Sequence, residues 1–318
     1  MLASHPVIGL VAFAAACLVL LFVGVTIATT RLLTRPPRRT YATALASGRP
    51  GDPSELPAPP SHPTHTWSWK QWTLRAQGFD LPVWEVEGLA ATGPIIVLTH
   101  GWGDSRVGAL PRISSLAPIA SRLIAWDMPG HGDAGGTCSL GTNEIEALSS
   151  LIEQLAGSTR APVVLYGWSL GAGVSIATAA STSANTATPI VAVIAENPYR
   201  LARTPAANVL RLARLPNTVA LRASLWLLDR LGLAPGLTRR KFDRKDQATR
   251  LAVPLLVIHG EDDNVCPVAD GKEIAAAASK CSISVIPGAG HHGLWTGAAT
   301  QPVVFEAVRA FLQTLPPR

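Results

Sequence analysis

Six short runs of unbroken apolar residues recur along the chain. They are "PIIVLTH" (94–100), "RLIAWD" (122–127), "PVVLYG" (162–167), "IVAVIAE" (190–196), "PLLVIHG" (254–260) and "SISVIPG" (282–288). A strand that is apolar on both faces belongs in a parallel sheet covered by helices on either side. Ahead of them, "TWSWKQWTL" (66–74) and "LPVWEVEG" (81–88) alternate apolar and polar positions, as half-buried antiparallel strands do. Helical patterns fall between the runs. "TNEIEALSSLIEQLAG" opens on Thr and Asn, carries Glu in its first turns and closes on Gly. "SLGAGVSIATAAS", "VADGKEIAAAAS" and "PVVFEAVRAFLQTL" complete the set. Two antiparallel strands followed by six parallel ones with helical crossovers predict an α/β fold, an eight-stranded, mostly parallel, doubly wound sheet.

The N-terminal pattern is different. Val7 to Thr30 contains no charged residue. About 20 such residues in a helix cross a bilayer core of about 30 Å. A cleaved signal peptide wants a basic n-region and a shorter apolar core. Here His5 is the only side chain before the run able to carry charge, so an uncleaved, single-pass anchor over residues 1–35 is the expectation. Arg31, Arg35, Arg38 and Arg39 follow the run, and no Lys or Arg precedes it. That asymmetry predicts a cytoplasmic C-terminal domain. "GRPGDPSELPAPPSHP" (48–63) holds six prolines. It reads as a semi-stiff extended stretch, giving a Pro-rich linker over 36–65 and a folded domain over 66–318.

Composition narrows the class. Of 318 residues, 47% are hydrophobic and 15% charged, which supports a large core and excludes wholesale disorder. Cys17, Cys138, Cys266 and Cys281 form no CxxC pair, so structural zinc and a disulfide scaffold are not expected. No metal or organic cofactor is implied.

The candidate chemistry centres on "VVLYGWSLGAG" (163–173). A β-branched run enters Gly-x-Ser-x-Gly, and a small-residue helix follows. That is the strand–turn–helix context of a nucleophile elbow at Ser169. A helix N-cap serine is the plainer alternative. A base is sought late in the chain, where "PGAGHHGLW" (287–295) offers His291 and His292. Adjacent side chains diverge, so one faces Ser169; His291, directly after the Gly-Ala-Gly turn, is chosen. The orienting acid is sought after the preceding strand, in "HGEDDNVCP" (259–267), at Asp262 or Asp263, with Glu196 a weaker candidate. The order Ser, Asp, His suits an α/β sheet. The oxyanion hole needs two backbone N–H groups, expected at Leu170 and, in "LTHGWGDS", at Trp102. His100 and the "DMPGHG" turn (127–132) read as structural. Trp102, Trp168 and Trp295 flank the motifs, and Trp168 and Trp295 are expected to line an apolar substrate pocket.

Together these motifs resemble those of the α/β-hydrolases, in the broad group of lipases, esterases and serine aminopeptidases. "HGW" (100–102), "DMPGHG" (127–132), "GWSLG" (167–171), "HGEDD" (259–263) and "GAGH" (288–291) stand in the family's order. The resemblance covers about residues 66–315. It implies that Asp263, not Asp262, is the acid, and it supports His291. It also implies a cap between the sixth and seventh strands, at 199–250. That stretch carries twelve Lys or Arg against three Asp, with apolar runs between. A basic, amphipathic cap suits a membrane surface, and a solvated cap that merely closes the pocket is the ordinary alternative. No nucleic-acid-binding motif accompanies the charge. The expected activity is hydrolysis of a carboxylic ester, with a small-molecule or lipid acyl substrate. A thioesterase or aminopeptidase-like amidase would use the same triad, and a non-catalytic membrane scaffold is the reading from another class.

Overall fold

The computed structural model describes residues 5–59, 62–158, 161–182, 190–215 and 219–315. Short parts of the expected anchor (1–4), linker (60–61), cap (216–218) and domain end (316–318) lie outside the described residues.

Every strand expected from the pattern is present. They are β1 (Trp69–Ala76), β2 (Phe79–Glu87), β3 (Ile95–Thr99), β4 (Arg122–Trp126), β5 (Val163–Trp168), β6 (Ile190–Glu196), β7 (Leu255–Gly260) and β8 (Cys281–Ile286). They form one sheet in the order β1-β2-β4-β3-β5-β6-β7-β8. β2 pairs antiparallel with both β1 and β4, and every other neighbouring pair is parallel. Only β2 therefore runs against the sheet, and β1 points the same way as the six central strands. The apolar runs work as expected. Ile95 and Val97 enter the core on one face, while Ile96 and Leu98 enter the core on the other. Such alternation follows from the two-residue period of a strand.

The helices are α1 (His5–Thr34), α2 (Tyr41–Ala46), α3 (Leu110–Leu116), α4 (Glu144–Ser158), α5 (Leu170–Ser181), α6 (Arg203–Leu212), α7 (Val219–Arg230), α8 (Arg244–Ala248), α9 (Val268–Ala277) and α10 (Gln301–Gln313). α6, α7 and α8 occupy the stretch between β6 and β7 where the cap is expected. α3 was not foreshadowed by the pattern: its apolar residues are few, and Pro111 sits in its first turn.

The stretch expected to be an extended linker is instead folded onto the domain. It contains α2 and a 3₁₀ turn at Pro53–Glu55, tied by the Tyr41 hydroxyl to Glu55 at 2.5 Å. Ala44 is buried, and the Trp67 indole donates to the Leu56 carbonyl at 3.1 Å. Arg38 donates to the carbonyls of Gly132 and Ala134, each at 2.9 Å, and Arg39 pairs with Asp104 at 3.0 Å. Proline content signalled stiffness; these long-range contacts replace a spacer with a strap.

α1 contains a segment, Val7–Thr34, long and apolar enough to cross a membrane. Its residues from Val7 to Gly24 are exposed all round. From Val25 onward one face is covered: Thr26, Thr29, Leu33 and Thr34 are buried. That spacing is the single face of a helix laid against a partner.

Candidate active site

The site is built at the carboxyl ends of β5, β7 and β8, where open α/β sheets place their ligands. β5 ends at Trp168 and α5 begins at Leu170, so Ser169 alone makes the turn. Its backbone sits at φ +52° and ψ −117°, a region L residues rarely adopt. Two glycines make the turn possible. A Cβ on Gly167 would lie 2.1 Å from the Gly171 carbonyl oxygen, and one on Gly171 would lie 1.9 Å from the Thr99 carbonyl oxygen. The turn forces Ser169 up and out of the sheet.

Ser169 Oγ lies 3.1 Å from His291 Nε2, and His291 Nδ1 lies 2.7 Å from Asp263 Oδ2. The other carboxylate oxygen of Asp263 accepts from the N–H groups of Val265 and Cys266, both at 2.8 Å. Five hydrogen-bonded groups thus stand in line from the two N–H donors to the serine hydroxyl. Asp262 and Glu196 take no part. Glu196 faces the other side of the sheet, in a buried pair with Arg112 that also receives the Tyr166 hydroxyl at 2.6 Å.

The backbone N–H of Leu170 is the first of α5 and has no acceptor within the helix. The turn after β3 presses on Ser169: a Cβ on Gly101 would come within 3.2 Å of Ser169 Cβ. Trp102 follows immediately. His100 fixes this turn from below. Its Nε2 accepts from the Met128 N–H at 2.9 Å, and its Nδ1 is 2.8 Å from the Gly101 carbonyl oxygen. Burial lowers its pKa to about 4, so the ring is neutral and donates through Nδ1. Asp127, in the "DMPGHG" turn, is buried against Arg106 and accepts from the Asp133 N–H.

Trp168 and Trp295, expected in the pocket, are not among the residues that line the cavity above Ser169. Trp168 shares the face of β5 opposite the cavity with Tyr166, two residues earlier, as strand alternation requires. Its ring stacks on the Arg112 guanidinium, 3.8 Å away, and its Nε1 donates to Asp104. Trp295 donates to the Tyr166 hydroxyl at 2.8 Å and to Glu196 at 3.0 Å. Both rings support the floor beneath the site.

The cavity above Ser169 is about 490 Å³, within the range of small-molecule sites. His291, His292, Leu140, Tyr199, Val209 and Val265 contribute to its wall. Burial and the neighbouring His291 lower the pKa of His292. Leu33 and Pro37, from the end of α1 and the strap, also line it.

Two supporting residues had no sequence signal. Asn197 holds a left-handed conformation at φ +47°. Its amide donates to the His291 carbonyl at 3.1 Å and its oxygen accepts from the Gly260 N–H at 2.9 Å, joining the end of β7 to the His291 loop. Cys266 packs its thiol 4.0 Å from Ser169 Oγ, and burial raises its pKa well above the usual thiol value. Asp263, Cys266 and His291 could offer three ligand atoms to a metal within 4.8 Å of one another. Both Asp263 oxygens and both ring nitrogens of His291 already take part in the hydrogen bonds described above.

Comparison with known proteins agrees with this architecture. The alpha/beta hydrolase family matches residues 96–307. The chain is 31% identical over 212 residues to the Lysophosphatidylserine lipase ABHD12 of Rattus norvegicus, covering 64% of this chain and 50% of that protein. It is 27% identical over 241 residues to Protein ABHD12B of Homo sapiens, covering 72% and 63%. The chain thus spans about half the length of the first of these curated relatives. Among solved structures, the Pyrococcus furiosus esterase Pf2001 superposes with a TM-score of 0.64 at 18% identity, covering 88% of this chain and 97% of that one. At that identity the likeness is one of fold.

Proposed function

Because the chain belongs to the alpha/beta hydrolase family, we propose that it is a membrane-anchored serine hydrolase that cleaves carboxylic esters of acyl lipids. The observation that carries the reading is the relay from Asp263 through His291 to Ser169, opening into an apolar cavity. Ser169 Oγ attacks the acyl carbonyl carbon while His291 Nε2 takes the hydroxyl proton. Asp263 holds the imidazole with Nε2 free to accept and stabilises the imidazolium formed. The N–H groups of Leu170 and Trp102 receive the negative oxygen of the tetrahedral intermediate. As the intermediate collapses, the ester C–O bond breaks, and His291 returns the proton to the departing alcohol. Water then attacks the acyl-enzyme by the same route, releasing the acid and restoring Ser169.

The relatives named as lysophosphatidylserine lipases favour a lipid with a single acyl chain as substrate. α1 supplies the anchor, with Arg31 and Arg35 exposed at its end for a cytoplasmic headgroup region. The assignment is tested with a fluorophosphonate probe. The Ser169→Ala protein should lose all labelling; labelling equal to that of the unaltered protein would overturn the nucleophile. A panel of acyl esters, acyl thioesters and aminoacyl amides then separates lipase from thioesterase and amidase by relative kcat/KM.

A further inference from the structure

The end of α1 lines the cavity above Ser169. The undocked part of α1, residues 7–24, is 18 residues long. At about 1.5 Å per residue it spans about 27 Å, close to the hydrocarbon thickness of a bilayer. From Val25 onward one face of α1 is packed against the domain. The Ser224 hydroxyl of α7 donates to the Thr26 carbonyl at 3.0 Å. The Trp102 indole donates to the Leu33 carbonyl at 3.0 Å, and the Cys138 N–H donates to the Thr34 carbonyl at 2.9 Å. Leu33 is 3% exposed, and it lines the cavity with Pro37.

A helix tied to Thr26 cannot stand away from the membrane that holds residues 7–24. α7 therefore lies at headgroup depth. Its surface suits that place. Trp226 is 55% exposed, Val219 66% and Leu231 62%, with Arg222 and Arg230 on the same helix. An exposed indole flanked by arginines is the composition of a membrane–water interface. The cavity opens towards an exposed apolar side chain: Leu212, at the end of α6, lines it and is 55% exposed.

Building on the proposed lipid-ester activity, we propose that the end of α1 forms one wall of the acyl site, and that the acyl chain of a bilayer lipid enters sideways between α1 and α6. The chain then leaves the hydrocarbon without crossing water, and its ester meets Ser169 while the headgroup stays in the interface. α1 is on this view a determinant of acyl-length preference as well as an anchor.

The test uses the full chain reconstituted in phosphatidylcholine vesicles and two probes, an ethyl and a hexadecyl fluorophosphonate. In Leu33→Trp, the ratio of hexadecyl to ethyl labelling rates should fall by about tenfold or more, as expected for filling an apolar subsite. A long-to-short labelling ratio equal to that of the unaltered protein overturns the proposal. If Leu33→Trp loses both labels, Leu33→Ala decides by the same ratio: a fall supports the wall, no change overturns it. Failure of both probes to label the unaltered protein at Ser169 would instead overturn the esterase reading. The route has its own measurement. Vesicles of lipid brominated near the headgroup should quench less tryptophan fluorescence in Trp226→Phe than in the unaltered protein; equal quenching overturns the membrane-level cap.

Discussion

At the scale of single residues, the site rests on close backbone approaches that only glycine allows, and they differ in how much must move. A Cβ at Gly171 would meet the Thr99 carbonyl oxygen at 1.9 Å, backbone against backbone. β3 and α5 would have to separate. Gly171→Ala should therefore lose the folded state or a large part of its stability, read as a collapsed or strongly lowered thermal transition. A Cβ at Gly101 would meet Ser169 Cβ at 3.2 Å, a distance that a shift of tenths of an ångström relieves. Gly101→Ala should keep its thermal transition and lose catalytic rate. A displacement of the turn that carries Trp102 costs about tenfold or more in kcat, because positioning errors near 1 Å cost about a hundredfold. Equal transitions for the two variants would show that the strand–helix approach is not the tighter constraint. Asn197 and Cys266 act at this scale too, but Asn and Cys in a loop carry no mark of such use until the partners are seen.

At the scale of elements, the floor of the site is a buried polar cluster joining α3, β5, β6 and the segment after β8. Arg112 donates to both oxygens of Glu196, which also receives Tyr166 and Trp295, while Trp168 stacks on the guanidinium. Removing one charge leaves the other buried and unpaired, which costs about 3–5 kcal/mol. At roughly 2–4 °C per kcal/mol for a domain of this size, Glu196→Gln should lower Tm by about 10 °C. Arg112→Met combined with Glu196→Leu should be less destabilised than the two single losses added together, since neither charge is then stranded. Differential scanning fluorimetry of the three proteins checks this, and additive losses would count against a coupled pair. The strap over residues 36–59 belongs here as well. Its prolines announce a stiff backbone, but Arg38 and Arg39 decide where it lies.

At the scale of the whole molecule, two buried neutral imidazoles link folding to pH. Burial lowers His100 to about 4, and burial with the neighbouring His100 lowers His131 to about 3. In the unfolded chain both titrate near 6.5. Below that value the unfolded state binds more protons than the folded one, so stability falls with pH. It is fully present above about 6.5 and is lost progressively as pH drops towards 4. Tm should decline between pH 7 and pH 5, and His100→Gln should flatten the decline. A slope in His100→Gln as steep as in the unaltered protein would remove His100 as a source.

The sequence by itself determined the eight strands, the crossover helices other than α3, and the short list of polar residues from which three meet at the strands' carboxyl ends. Each depends on local matter: unbroken apolar runs, glycines that permit a strained turn, and polar residues directly after a strand. Tertiary structure decided the rest. Trp168 lies beneath the site rather than in it because strand alternation puts it on the face of Tyr166, and Trp295 because its indole, in the segment after β8, donates to Tyr166 and Glu196. The Pro-rich stretch is a strap, because Arg38 finds acceptors 94 and 96 residues away and Arg39 one 65 residues away. α1 reads as an isolated anchor from its own composition. Only the donors of Trp102, Cys138 and Ser224, reaching its last turns from distant parts of the chain, make its end a wall of the cavity.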